Sequence, residues 1–274
     1  MSFEISLAHL TVLQLSPPEM IEVAAKTGYQ FVSLRMTKVT PTEQLFDLLN
    51  TPKNLQLTKA ALAREGIRVH DVELARMPPD VEPRSYVPML EIGAELGARS
   101  VITQLPDPDR SRAADRFAEL CDLAMPLGLK IDLEFPSWTE TPNLDSAVQI
   151  LRAVNRPNAG ILVDALHFDR SRSSLEQLAD LPAEWFNFVH LCDAPDPIPD
   201  KLEDLIFTAR AGRSFPGHGD IDLKAIVERI PLVPYSLEIP NHKLMEKLGV
   251  ETFCLQAREE TEKFLKGCHF PNKR

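Results

Sequence analysis

Missing from the start of this chain is any glycine-rich turn. The first apolar segment, residues 3–8, runs into HLTVLQLSPPE without a glycine. The phosphate-cradling turn that follows the first strand of an open, doubly wound sheet is therefore absent, and with it the main sign of that fold. Paired cysteine spacing is absent too. Cys121, Cys192, Cys254 and Cys268 are scattered, which argues against a thiolate zinc site and for reduced thiols. No stretch approaches the ~18 uninterrupted apolar residues of a membrane span. The opening MSFEISLAHLTV has neither a basic segment nor a long apolar core, so no secretory signal is expected and a cytoplasmic protein is. Positive charge is in the minority, with 30 Lys and Arg against 40 Asp and Glu and a net charge of -10. That balance opposes a nucleic-acid partner, which needs clustered cations. It leaves room for a small anionic substrate held by a local cation.

What is present is an alternation of apolar runs and amphipathic segments. Strands are expected at residues 3–8, 31–34, 67–73, 100–103, 130–134, 159–164, 186–190 and 235–238. A helix opening at Ser16-Pro-Pro-Glu lies between the first two. Further helices are expected near 55–64, 86–96, 113–125, 144–154, 175–178 and 223–229, and a last one over 252–265. Gly28, Gly66, Gly97 and Gly128 each stop a helix just before a strand. Eight such units within 274 residues predict an α/β fold of one domain over residues 1–274, a closed (β/α)8 TIM barrel. The stretch 191–222, with DAPDPIPD and RSFPGHGDID, is expected to be a long loop over one end of it.

The last four expected strands share a peculiarity. LKIDLE ends at Glu134, GILVD at Asp164, NFVH at His190 and YSLE at Glu238. In a barrel the carboxyl ends of the strands form the active-site face. Three carboxylates gathered there would repel one another, and desolvation would add several kcal/mol per ion. A divalent cation resolves both problems, and oxygen ligands plus one imidazole suit a hard-to-borderline metal. Glu134, Asp164, His190 and Glu238 are therefore expected to form one metal site, for manganese, magnesium or cobalt, with zinc as an alternative. His9, Arg35, Glu73 and Gln104 also fall near strand ends, where substrate contacts arise, and His70 lies within the third strand.

This ordered set, with D-x-x-H from Asp164 to His167, H-x-x-D from His190 to Asp193, and Pro216-Gly-His-Gly-Asp220-Ile-Asp222, resembles the xylose isomerase-like barrel superfamily. Its members include sugar isomerases and epimerases, inosose dehydratases, 3-dehydroshikimate dehydratases and endonuclease IV. The resemblance implies that Glu134 and Glu238, besides binding metal, exchange a proton on the carbon beside a carbonyl, through an enediolate. It implies catalytic support from His167 and substrate or imidazole contact from Asp193. The implied substrate is a small polyhydroxylated carbonyl compound, with His9, Glu73, Arg213 and Asp193 as substrate-binding candidates, and the implied assembly is a homodimer. Dehydration is the alternative activity, and a non-catalytic metal-binding barrel a further one. Two departures stand out. Pro136 occupies the position of a histidine base found in dehydroshikimate-type dehydratases, and Asp196 that of an arginine found in many epimerases. Arg210 and Arg213 are the nearest guanidinium groups for an anionic substituent.

Overall fold

The computed structural model describes residues 3–271; the expected domain limits, residues 1 and 274, lie outside it. Eight parallel strands close into a barrel in sequence order. They are β1 (Ile5–Leu7), β2 (Phe31–Arg35), β3 (Arg68–Arg76), β4 (Ser100–Gln104), β5 (Lys130–Glu134), β6 (Ala159–Asp164), β7 (Val189–Leu191) and β8 (Tyr235–Leu237). β8 pairs with β1 through Ile5 and Tyr235 to complete the closure. Helices α1 (Pro17–Lys26), α2 (Pro52–Glu65), α3 (Val87–Glu95), α4 (Arg110–Ala124) and α5 (Leu144–Val154) follow the first five strands. After β6 come α6 (Ala165–Arg170) and α7 (Leu175–Ala179), after β7 α8 (Leu202–Ala211) and α9 (Leu223–Val227), and after β8 α10 (His242–Leu248) and α11 (Val250–Lys266).

Local chemistry sets the boundaries of these elements. α1 starts in a reciprocal cap, where Ser16 and Glu19 satisfy each other's free donors and Pro17 fills the first turn. α2 ends at Gly66, whose φ of +68° is one that a Cβ would disfavour. Strand residues are buried on both faces, as expected where helices cover a parallel sheet. Inside the barrel, Leu74, Ile102, Leu162 and Phe188 pack together. Half-buried Asn187 donates from Nδ2 to Oδ1 of the buried Asp132 at 2.7 Å. That pair demands Gly160, because a Cβ there would lie 2.2 Å from the Asp132 oxygen.

Three departures from the sequence reading matter for the site. β3 runs to Arg76, three residues beyond its expected end at Glu73. The expected loop 191–222 carries α8, whose apolar residues are partly exposed (Leu202 56%, Phe207 55%), so no clean amphipathic stripe marks it. Asp164 is both the last residue of β6 and the N-cap of α6.

Candidate metal centre

Four consecutive strands deliver the four proposed ligands. Glu134 ends β5, Asp164 ends β6, His190 sits in β7 and Glu238 directly follows β8. One potential ligand atom from each lies within 4.8 Å of all the others. Ligands on opposite sides of a single divalent cation stand about 4–5 Å apart, so the spacing fits one ion. His190 supplies a sharper test. It is 1% exposed, and neither ring nitrogen has a hydrogen-bond partner. Its Nδ1 lies 3.9 Å from Glu134, 3.7 Å from Asp164 and 3.6 Å from Glu238, too far for hydrogen bonds. A buried imidazole held among three carboxylates without bonding any of them is suited to a metal ion at their centre.

The surroundings orient each acid. Asp164 divides its oxygens: Oδ1 accepts from the backbone N–H groups of Leu166 (2.8 Å) and His167 (3.1 Å), while Oδ2 faces the cluster. Gln104 Nε2 donates to Glu134 Oε2 at 2.5 Å. Arg213, fully buried, donates to Asp164 Oδ2 at 2.6 Å and to Glu238 Oε2 at 2.7 Å. A carboxylate oxygen has two lone pairs, so an arginine bond and a metal bond are compatible on one atom. The other Glu238 oxygen accepts no hydrogen bond from the described residues.

Burial drives the titration of the cluster. It pushes the Glu134 carboxyl up to about 8, helped by the charge of Glu238. Burial alone would also raise Asp164 and Glu238, but the nearby positive groups, Arg213 first and His190 with it, together outweigh it and hold both below their ordinary values. For His190 burial opposes the charged form, yet the surrounding carboxylates prevail and hold it well above its ordinary value. These directions describe the metal-free protein and predict its response to pH. Between about 4.5 and about 8 the folded state keeps a Glu134 proton that the unfolded chain has lost. The stabilisation from His190 is likewise complete below 6.5 and lost as pH rises through its raised value. Stability in chelator should thus fall as pH climbs across neutrality. A cation must displace the same protons, so its stabilising effect should grow with pH. Thermal unfolding with chelator and with excess manganese, from pH 5.5 to 8.5, should show the two Tm values diverging; a constant gap would contradict this.

A cavity of about 150 Å³ opens above the cluster. Glu134, His190, Arg213 and Glu238 line it, with Arg35, Glu73, Gln104, Pro136, Trp138 and His167 among its walls. His167 stands edge-on to Trp138, with ring centroids 4.9 Å apart. Burial lowers its pKa to about 4, so the ring is neutral, and its Nδ1 has no partner among the described residues. Glu73 is also brought to the cavity, paired with Arg35 at 3.0 Å.

Three of the expected substrate contacts have other partners. His9 accepts from the Arg35 backbone N–H at Nδ1 (3.0 Å), and its Nε2 bonds the Leu15 carbonyl at 3.0 Å. Both nitrogens are committed to backbone, and the ring does not line the cavity. Asp193 touches neither cavity nor imidazole. Its oxygens accept from the N–H groups of Ala194 (2.9 Å), Gly217 (3.0 Å) and Ile221 (3.2 Å), tying the PGHG segment to the end of β7. Gly219 allows this approach, since a Cβ there would lie 2.4 Å from Asp193 Oδ1. Arg213 does line the cavity, but it grips the two acids rather than standing free. His70 lies within the barrel interior, bonded to Asp71 at 3.1 Å and edge-on to Phe188. Arg76 also lines the cavity and lies beyond the strand end expected at Glu73; the continuing apolar run Leu74-Ala75 is the sequence signal for the longer strand.

The model for the xylose isomerase-like TIM barrel matches residues 21–264. The chain belongs to this family. Within it, the chain is 30% identical over 187 residues to an inosose isomerase of Bacillus licheniformis, covering 63% of this chain and 65% of that protein. It is 33% identical over 135 residues to a 3-dehydroshikimate dehydratase of Pseudomonas aeruginosa, covering 47% of this chain and 20% of that one. Both matches span less than two thirds of the relative's length. The solved structure of the IolI protein with a bound zinc atom overlays this xylose isomerase-like barrel with a TM-score of 0.79, at 22% identity, over 97% of this chain and 99% of that one. At such identity the likeness speaks for the fold. Among the described residues no helix is long and apolar enough to cross a membrane.

Proposed function

We propose that this protein is a metal-dependent isomerase or epimerase of a small, sugar-like hydroxy-carbonyl compound. The observation that carries the reading is the meeting of two glutamates, an aspartate and an unpartnered imidazole, with both glutamates and the imidazole lining one cavity. Glu134, Asp164, His190 and Glu238 would hold a divalent cation, manganese being our first choice. When bound, the cation would act as a Lewis acid, favouring loss of the proton beside a carbonyl. Glu238, with one oxygen free of protein bonds, would remove that proton. Glu134, oriented by Gln104, would face the same carbon and return it. His167 would hydrogen-bond a substrate oxygen as a neutral ring. The similarity to inosose isomerases supports this direction.

Dehydration remains the second reading, favoured by the match to a 3-dehydroshikimate dehydratase. Against it stands Pro136 on the cavity wall, which cannot take the proton that a histidine base in that place would remove. The two separate cleanly. Metal-loaded protein incubated in deuterated water with candidate ketoses and inososes should place deuterium on the carbon beside the carbonyl. An ultraviolet-absorbing unsaturated product would instead identify a dehydratase, and no exchange with any candidate would defeat the isomerase assignment.

A further inference from the structure

The cavity carries more positive charge towards its mouth than its own acids balance. At the floor, three carboxylates face Arg213 and the proposed divalent cation, a neutral set. On the wall Arg35 and Glu73 neutralise each other at 3.0 Å. Among the other ionisable side chains lining the cavity are Glu43, Arg76 and Arg210. Glu43 accepts from the Val39 backbone N–H at 2.8 Å and so secures its own loop. Arg76 is exposed and Arg210 half-buried, whereas every floor residue is at most 5% exposed. Neither Arg76 nor Arg210 makes a side-chain hydrogen bond or ion pair with any described residue, although the chain has 40 acids for 30 Lys and Arg. The nearby Arg35 adds a buried Nε that has no acceptor.

Both arginines have fixed backbones. Arg76 pairs in register with Gln104, whose side chain holds Glu134. Arg210 sits in the last turn of α8, and that turn is pinned where Arg213 Nε donates to the Ala209 carbonyl at 2.9 Å. Guanidinium groups carried on fixed backbone positions and left unpaired suit a planar or tetrahedral oxyanion, which they bind through charge-assisted hydrogen bonds.

We propose that Arg76 and Arg210 form a subsite for a carboxylate or phosphate carried by the substrate at the end remote from its carbonyl. The inference rests on the enolising reading above and narrows its substrate to an anionic hydroxy-carbonyl compound. Three ligands with one carbon skeleton test it: D-fructose, D-fructose 6-phosphate and D-fructuronate. Calorimetry on the manganese-loaded protein should show at least one anion binding about 10- to 100-fold more tightly than fructose, on the scale of one or two charge-assisted contacts. Whichever anion binds more tightly identifies the group. The ratio of anion to fructose affinity should collapse towards one in the double variant Arg76→Gln/Arg210→Gln and largely return in Arg76→Lys/Arg210→Lys. Absence of any anion preference, or its persistence in the double glutamine variant, would overturn the subsite. Deuterium exchange on the same ligands keeps the two readings apart. Preference without exchange would retain the subsite and reject enolisation, and exchange without preference would do the reverse.

Discussion

Glu238→Gln should lower the rate of solvent hydrogen exchange into substrate by about 10²–10⁴-fold, the range set by removing a positioned general base. Glutamine preserves the shape of the side chain and keeps an oxygen that can accept from Arg213, now 2.7 Å from the carboxylate. It cannot take a proton. Three ligands to the cation remain in place, so metal binding should weaken without vanishing, and metal affinity must be measured alongside turnover. The informative comparison is exchange at saturating metal. A variant that is fully loaded and still exchanges at the parent rate would remove Glu238 from the chemistry. Loss of activity that tracks metal loss alone would make it a ligand and nothing more.

Arg213→Met should destabilise the metal-free protein by about 3–5 kcal/mol, the cost of breaking a buried ion pair from one side. Methionine fills much of the same space, so the loss comes from charge. Asp164 and Glu238 would be left buried, repelling each other, with the His190 ring still 3.7 and 3.6 Å away from them. Divalent metal should restore part of the lost stability, because it brings positive charge to the same acids. Urea unfolding in chelator and in manganese separates these effects. An unchanged midpoint in chelator would mean that Arg213 does not hold the floor together.

Much of this arrangement could be read from residue order. The four apolar runs ending in Glu134, Asp164, His190 and Glu238 are local patterns, and a closed barrel necessarily gathers strand ends. The contacts that depend on the path of the chain between strands were not legible. Arg213 lies 23 positions after His190 in an excursion rich in proline, and only the folded return brings its guanidinium beneath the acids. His9 and Asp193 have the right residue types near strand ends, yet each spends its polar atoms on neighbouring backbone. Nothing in one-dimensional spacing distinguishes an imidazole aimed at a ligand from one that closes a turn. Arg76 is hidden for a simpler reason: the ionisable Glu73 looks like a strand end, whereas β3 continues three residues past it.

The guanidinium of Arg213 touches three things at once: the acids of β6 and β8, the sulfur of Cys192 at 3.3 Å, and the carbonyl that finishes α8. Floor and rim are therefore not independent parts. One planar group thus anchors the acids of the floor and the last turn of the helix that carries Arg210.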